Sequence, residues 1–239
     1  MRALLFAIAL KAATVIVSGD AVAQHPQDLV LVGVGTGVAV ARIDATHYAV
    51  VTAAHVARYG NPHVALYGHR RAHAAVEMAV ADPNGEDLAV LIVHSRVALP
   101  VVPLAQRDPS PGSLLNVVGH PYAQTWSVTH ARFEQGVLTP SRSLQPLITR
   151  HTNIWICRGC DRGNSGSGIF DVNGRLDAVI YAAAPLPAYR RADERELRTD
   201  SYNPHIVRQV LAIDVAEVRA LLRYAEAKWR NKGQPGGIR

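Results

Sequence analysis

Apolar residues along this chain fall in short runs separated by clusters of Gly, Pro, Asn and Asp, and a helical spacing appears near the carboxyl end. Such punctuation predicts many short strands joined by tight turns, an all-β barrel or sandwich. From Asp28 to Ile43 the chain is β-branched and interrupted by Gly33, Gly35 and Gly37. One or two strands are expected there, with a bulge or a close backbone approach at the glycines and a turn over Asp44 to Thr46. His47 to Val56 reads as a strand that runs into small residues and a histidine. Further strands are expected at Val64 to Tyr67, Ala74 to Val80, Leu88 to Val93, Leu114 to Val118 and Trp126 to Val128. Turn clusters such as Asp82-Pro83-Asn84-Gly85 and Asp108-Pro109-Ser110-Pro111-Gly112 divide them. Asn173-Gly174, between Ile169-Phe170 and Leu176 to Ala182, is a strong hairpin signal.

Residues 185 to 204 carry both charge signs between prolines and read as a solvated loop, after which His205 to Ile213 resumes a strand. Asp214-Val215-Ala216-Glu217 has the form of a capping box, and Val215, Val218, Leu221 and Leu222 share one face of a helix running to about Arg230. The tail from Lys232 to Arg239 is Gly- and Pro-bearing and expected to be unstructured. No internal sequence repeat is evident.

Composition narrows the class. With 49% hydrophobic and 18% charged residues in 239, the chain can bury a core as one large or two small domains, which excludes a disordered protein. The first 23 residues have the pattern of a secretory signal: Arg2, an apolar stretch, and Ala21-Val22-Ala23 before Gln24. Lys11 interrupts the apolar stretch, and no run of about 18 apolar residues exists to span a membrane. An exported, periplasmic or secreted, chain is expected, with a folded unit over 24–230 and a flexible tail over 231–239. The net charge is +6, falling to +5 if Arg2, Lys11 and Asp20 leave with the leader. Its basic residues are scattered, which disfavours nucleic acid as a partner.

Cys157 and Cys160 are the two cysteines, in one C-x-x-C. One pair is half of a four-ligand zinc set, and no His follows Cys160, so neither a metal site nor a haem attachment is indicated. A small disulfide loop suits an exported chain, and a thioredoxin-like role lacks the βαβ setting.

Three segments then line up: Val51-Thr52-Ala53-Ala54-His55-Val56, Glu86-Asp87-Leu88-Ala89-Val90-Leu91 and Gly163-Asn164-Ser165-Gly166-Ser167-Gly168. Taken singly, His55 is as readily a core histidine, Asp87 a turn residue and Ser165 part of a flexible loop. Together, in this order and with gaps of 32 and 78 residues, they resemble the His, Asp and Ser motifs of the chymotrypsin-like (trypsin-like) serine peptidases. The gaps and Gly163-Asn164-Ser165 look closer to bacterial HtrA-like and glutamyl-endopeptidase-like members than to digestive trypsins, and no PDZ-like segment is expected after residue 230. The resemblance covers roughly residues 28 to 225. It implies two perpendicular six-stranded antiparallel β-barrels, an active site between them and a closing carboxyl-terminal helix.

It also implies peptide-bond hydrolysis of protein or peptide substrates without a cofactor. Ser165 would be the nucleophile, His55 the general base and then acid, and Asp87 the group that orients His55. The N–H groups of Gly163 and Ser165 would form the oxyanion hole. Digestive trypsins carry an Asp before the nucleophile that pairs with a newly cut amino terminus. Asn164 has no charge for that pair, so a catalytic loop formed without zymogen processing is expected. The primary pocket would have Gly159 at its floor and Tyr181, Ala182 and Ala183 at its wall, with Cys157 and Cys160 bordering the floor. No acid stands at Gly159, and Ile180 occupies the place where glutamyl endopeptidases carry a His; small or medium apolar side chains are therefore expected.

Two other readings compete. An α/β-hydrolase would order its triad Ser, Asp, His, for example Ser165, Asp177 or Asp200, and His205. It would also want Gly two residues after the nucleophile, where Ser167 stands, and alternating strands and helices. A peptidase-like protein that captures extended peptides by strand pairing, or acts as a chaperone with little turnover, would keep the fold without the chemistry. Oligomeric state is not legible.

Overall fold

The computed structural model describes residues 14–18, 34–58, 63–65, 73–123, 127–134, 140–186 and 205–232. Twelve strands fall in these segments: β1 Thr14–Ser18, β2 Val34–Arg42, β3 His47–Thr52, β4 His63–Ala65, β5 His73–Ala81, β6 Ala89–His94, β7 Leu114–Gly119, β8 Ser127–Phe133, β9 Thr152–Arg158, β10 Gly168–Phe170, β11 Leu176–Pro185 and β12 Val207–Asp214. A short helix α1, Ala54–Ala57, follows β3, and α2, Val215–Lys232, ends the described chain.

The strands close into two six-stranded barrels, β1-β2-β3-β6-β5-β4 and β7-β8-β9-β12-β11-β10, with antiparallel pairing throughout. This is the chymotrypsin-like fold. Both barrels use the same strand order, a structural duplication that has no counterpart in residue identities. Closure removes the open edges that a six-stranded sheet would otherwise present.

The largest core runs through the first barrel, across the barrel interface and under α2, with Leu91, Phe170, Leu176, Leu211, Val218 and Leu221 among its fully buried members. A second cluster around Trp155, Phe133, Ile169 and Val210 fills the interior of the second barrel. β6 is buried at five successive positions, because one face meets the barrel interior and the other lies under α2. That double burial explains its unbroken apolar run. The helix begins as its capping sequence predicts: Glu217 N–H donates to Asp214 Oδ1 at 2.8 Å. Of the predicted apolar face, Val215, Val218 and Leu221 are buried and Leu222 is partly buried, and Glu217 and Ala225 are buried beside them.

Several expectations change or fall outside the described residues. β9 has no counterpart among the predicted strands; Thr152, Asn153, Ile154 and Trp155 are all buried, so no polar-apolar alternation marks it. Thr14–Ser18, inside the expected leader, is β1, with Ile16 opposite both Thr36 of β2 and Ala65 of β4. A chain cut after Ala23 would lack this strand. Asn231 and Lys232, expected in the tail, belong to α2, and Pro185, expected in the charged loop, ends β11; the junction at Ala23 and Gln24, residues 187–204 of that loop and the tail from 233 lie outside the described residues.

Asp177, on β11, is buried with Oδ2 lacking a hydrogen-bond partner among the described residues. Burial, then the charges of Asp171 and Asp108, pushes its carboxyl from 3.8 up to about 7. The folded chain thus holds this proton more tightly than the unfolded one. The resulting stabilisation is complete below about pH 4 and is lost as pH rises through about 7. Asp177→Asn, which cannot ionise, should melt at least about 3 °C above wild type at pH 8, with the gap closing towards about pH 4. A gap independent of pH in thermal melts would contradict this.

Candidate active site

Asp87 owes its place to the turn that precedes it. Gly85 N–H donates to Asp82 O at 3.3 Å around Pro83 and Asn84, and the Asp82 carboxylate accepts the N–H groups of Asn84 and Glu86 at 3.3 and 3.0 Å. Asp82 N–H in turn donates to Leu88 O at 2.9 Å, which closes the loop and delivers Asp87 at the entrance to β6. β6 pairs with β3 so that Ala89 faces Thr52, and His55 lies just beyond that end of β3 on α1. Antiparallel register alone therefore brings residues 55 and 87 together. Asp87 Oδ1 accepts the His55 backbone N–H at 2.8 Å, and Asp87 Oδ2 lies 2.7 Å from His55 Nδ1. Both side chains are about one-third exposed. Burial raises the Asp87 carboxyl, but the hydrogen bonds and charge of His55, helped by Arg58, outweigh it and hold the carboxyl below 3.8.

Ser165 is carried by the second barrel, between β9 and β10. Asn164 N–H donates to Asp161 O at 3.0 Å, with Gly163 at φ 90°, as in a type II turn. That position suits glycine twice, since a Cβ on Gly163 would also lie 2.6 Å from His120 O. Asn164 is buried, and its Oδ1 accepts the Ser167 hydroxyl at 3.0 Å. The residue expected to lack a charged partner thus has an internal, uncharged one.

Thr36 of β2 reaches from the first barrel into this turn. Its N–H donates to Ser165 O at 2.8 Å and its hydroxyl to Gly163 O at 2.9 Å, while the same hydroxyl accepts His120 N–H at 2.9 Å. Thr36 O accepts the Thr52 hydroxyl at 2.7 Å. Thr36 and Thr52 are fully buried. Close approach is possible because residue 35 is glycine: a Cβ there would lie 2.6 Å from Val56 Cγ2 and 2.8 Å from Ser165 O. The close approach expected at the glycines occurs at Gly35, where the segment bearing His55 meets the one bearing Ser165. Thr36 itself had no such signal; its neighbours marked the spot and its own role did not show.

A cavity of about 430 Å³ opens beside Ser165, and Tyr181, Ala182 and Ala183 are among its lining residues. Gly159 is not among its lining residues. Its N–H donates to Ile206 O at 2.7 Å, and it lies between Cys157 and Cys160, which form a disulfide within the core of the second barrel. Asp161 and Arg208 line the cavity instead, joined at 3.1 Å. The expected floor residue thus stands outside the lining of this cavity, and two charged side chains stand within it. Arg208 comes from β12, 43 residues beyond Ser165, and the β12–β9 pairing places it opposite Cys157. Tyr181 keeps its hydroxyl: burial pushes its pKa up to about 12, and it donates to Leu147 O at 2.7 Å.

Asp177 and His205, partners an α/β-hydrolase would use, do not line this cavity, and Asp200, the alternative acid, lies outside the described residues. A larger concavity of about 570 Å³, bordered by Asp44, Glu77, Trp229 and Lys232, contains none of the predicted site residues. Among the described residues no group of three or more His, Cys, Asp or Glu is arranged to hold a metal ion.

The trypsin-like peptidase domain matches residues 35–179. A search of curated proteins found no match. Among solved structures, the Rv3671c protease of M. tuberculosis in its inactive form superposes with a TM-score of 0.60 at 20% identity, covering 92% of this chain and 91% of that one. Its active form gives 0.61 at 24% identity, covering 91% and 82%. The serine endoprotease from Yersinia pestis gives 0.60 at 19% identity over 92% of this chain, which spans 64% of that protein's chain. At these identities the likeness is one of fold.

Proposed function

The chain belongs to the trypsin-like peptidase family and is a serine protease hydrolase, and from that premise we propose that it is an endopeptidase acting through His55, Asp87 and Ser165. What carries the reading is the convergence of two facts: His55 Nδ1 lies 2.7 Å from Asp87 Oδ2, and the loop bearing Ser165 is bonded to the same barrel through Thr36.

In the proposed reaction Ser165 Oγ attacks the scissile carbonyl and His55 Nε2 takes its proton. Asp87 accepts from Nδ1–H, fixing the tautomer and stabilising the imidazolium. The N–H groups of Gly163 and Ser165 receive the oxyanion, with Thr36 holding the carbonyl oxygens of those same two residues. His55 then gives its proton to the leaving amine, and water releases the acyl group from Ser165 by the same relay. The Asp87 carboxyl is held below 3.8 by the hydrogen bonds and charge of His55, so it stays ionised above about pH 4 and remains an acceptor for Nδ1–H.

Export is proposed on the amino-terminal pattern alone. Among the described residues no helix is long and apolar enough to cross a membrane. Leader removal would delete β1, so the two states have different first barrels. Amino-terminal sequencing of the protein recovered outside the cytoplasm should begin at Gln24; a start upstream of Thr14 would overturn leader removal and retain the strand.

The enzymatic reading predicts that a fluorophosphonate labels the wild type and that Ser165→Ala abolishes labelling. The same substitution should lower kcat/KM on a cleaved protein substrate by at least about 10⁴-fold while leaving peptide binding. Peptide binding without labelling or cleavage by the wild type would instead identify a non-catalytic peptide binder.

A further inference from the structure

The cavity beside Ser165 is charged where the proposed reaction seats the side chain that precedes the scissile bond. Arg208 and Asp161 are almost buried there, with side-chain exposures of 5% and 7%, and Arg208 Nη2 lies 3.1 Å from Asp161 Oδ1.

The two partners are unequally satisfied. Asp161 Oδ1 accepts from Arg208 and from the Arg162 N–H at 2.9 Å, and Oδ2 accepts the Tyr122 hydroxyl at 3.4 Å. Three of the roughly four acceptor sites of a carboxylate are therefore engaged. Arg208 has five N–H donors in a rigid fork, and among the described residues only the Nη2 bond to Asp161 engages them. Its Nε is buried with no acceptor among the described residues. Arg162, exposed on the cavity wall, adds a second cation.

Donors and positive charge are thus in excess at the end of the cavity. A lysine or arginine side chain entering here would meet Arg208 with little acceptor capacity left to receive it. An apolar side chain would cover a buried ion pair and satisfy nothing. A carboxylate supplies both the missing acceptors and the missing negative charge, and guanidinium–carboxylate bonds are among the stronger ones available. Ala182 and Ala183 leave the wall clear of bulky side chains, and the Tyr181 hydroxyl is already committed to Leu147 O and Thr152.

We propose that Arg208, held in place by Asp161, determines specificity, and that this cavity selects substrates with an acidic side chain immediately before the scissile bond. The proposal rests on the peptidase reading above.

The test is a set of matched internally quenched peptides that differ at that one residue: Glu, Asp, Gln, Leu or Lys. The better of the two acidic peptides should exceed the Gln peptide in kcat/KM by about tenfold or more and the Lys peptide by about a hundredfold. Equal or faster cleavage of the Leu or Lys peptide overturns the assignment. Arg208→Gln leaves Asp161 without its cation, so the double variant Asp161→Asn/Arg208→Gln, which removes both charges at similar shape, is its companion. In either folded variant the acidic-over-Gln ratio should collapse to near one, and a preserved ratio overturns the role of Arg208. If neither variant folds, the wild-type series decides. Fluorophosphonate labelling separates the two levels. A labelled wild type that ignores the acidic residue defeats the pocket assignment alone, whereas no labelling together with no cleavage defeats the peptidase reading and this one with it.

Discussion

Thr36 is the point at which one barrel holds the other's candidate nucleophile. Its N–H and hydroxyl take the carbonyls of Ser165 and Gly163, so both ends of the tripeptide Gly163-Asn164-Ser165 are fixed from β2. Thr36 is fully buried, and its hydroxyl also accepts His120 N–H. Its own N–H and hydroxyl would otherwise stand unpaired away from water, at a cost of about 1–3 kcal/mol each. The arrangement is therefore strongly specified. β2 also pairs with β3, which leads into His55, and β3 pairs with β6, which follows Asp87. One hydrogen-bonded sheet thus sets the position of the imidazole, its carboxylate partner and the loop that faces them.

The division of labour between the barrels follows from this link. The first barrel supplies the His55–Asp87 pair; the second supplies Ser165, the turn at Gly163 and the charged cavity. Electrostatics then separates residues of one type. Asp87, bonded twice to His55, is held low, whereas Asp177, equally acidic in isolation, is driven up to about 7 by burial and by neighbouring acids. Asp161 is a third case, buried against Arg208 and used to hold a cation. Burial alone does not decide what a carboxylate does; its partners do.

Much of this architecture could be read from the residues. Most of the strands, the Asn173-Gly174 hairpin and the capped helix have local signals, and the three motif segments stand in the expected order. Antiparallel pairing converts the order of His55 and Asp87 into proximity. What escaped has a common cause: it depends on neighbours distant in sequence. β9 is covered on both faces and shows no alternation. Arg208 reaches the cavity through strand pairing that no local pattern encodes, and Gly159, the floor that the resemblance implies, is not among the residues lining it. Thr36 is an ordinary strand residue until the second barrel packs against it. The leader pattern of residues 1–23 and the strand at Thr14–Ser18 are drawn from the same apolar run, and hydropathy does not distinguish the two fates.

If the link through Thr36 organises the oxyanion site, its removal must weaken stabilisation of the tetrahedral state more than substrate binding. The most direct measurement is the affinity of a peptide boronate, a tetrahedral anion mimic, for Thr36→Val and Thr36→Ser, alongside kcat and KM. Thr36→Val should weaken boronate binding and lower kcat by about 10- to 100-fold with KM little changed, and Thr36→Ser, which keeps the hydroxyl, should restore most of both. Wild-type boronate affinity and kcat in a folded Thr36→Val protein would contradict the account.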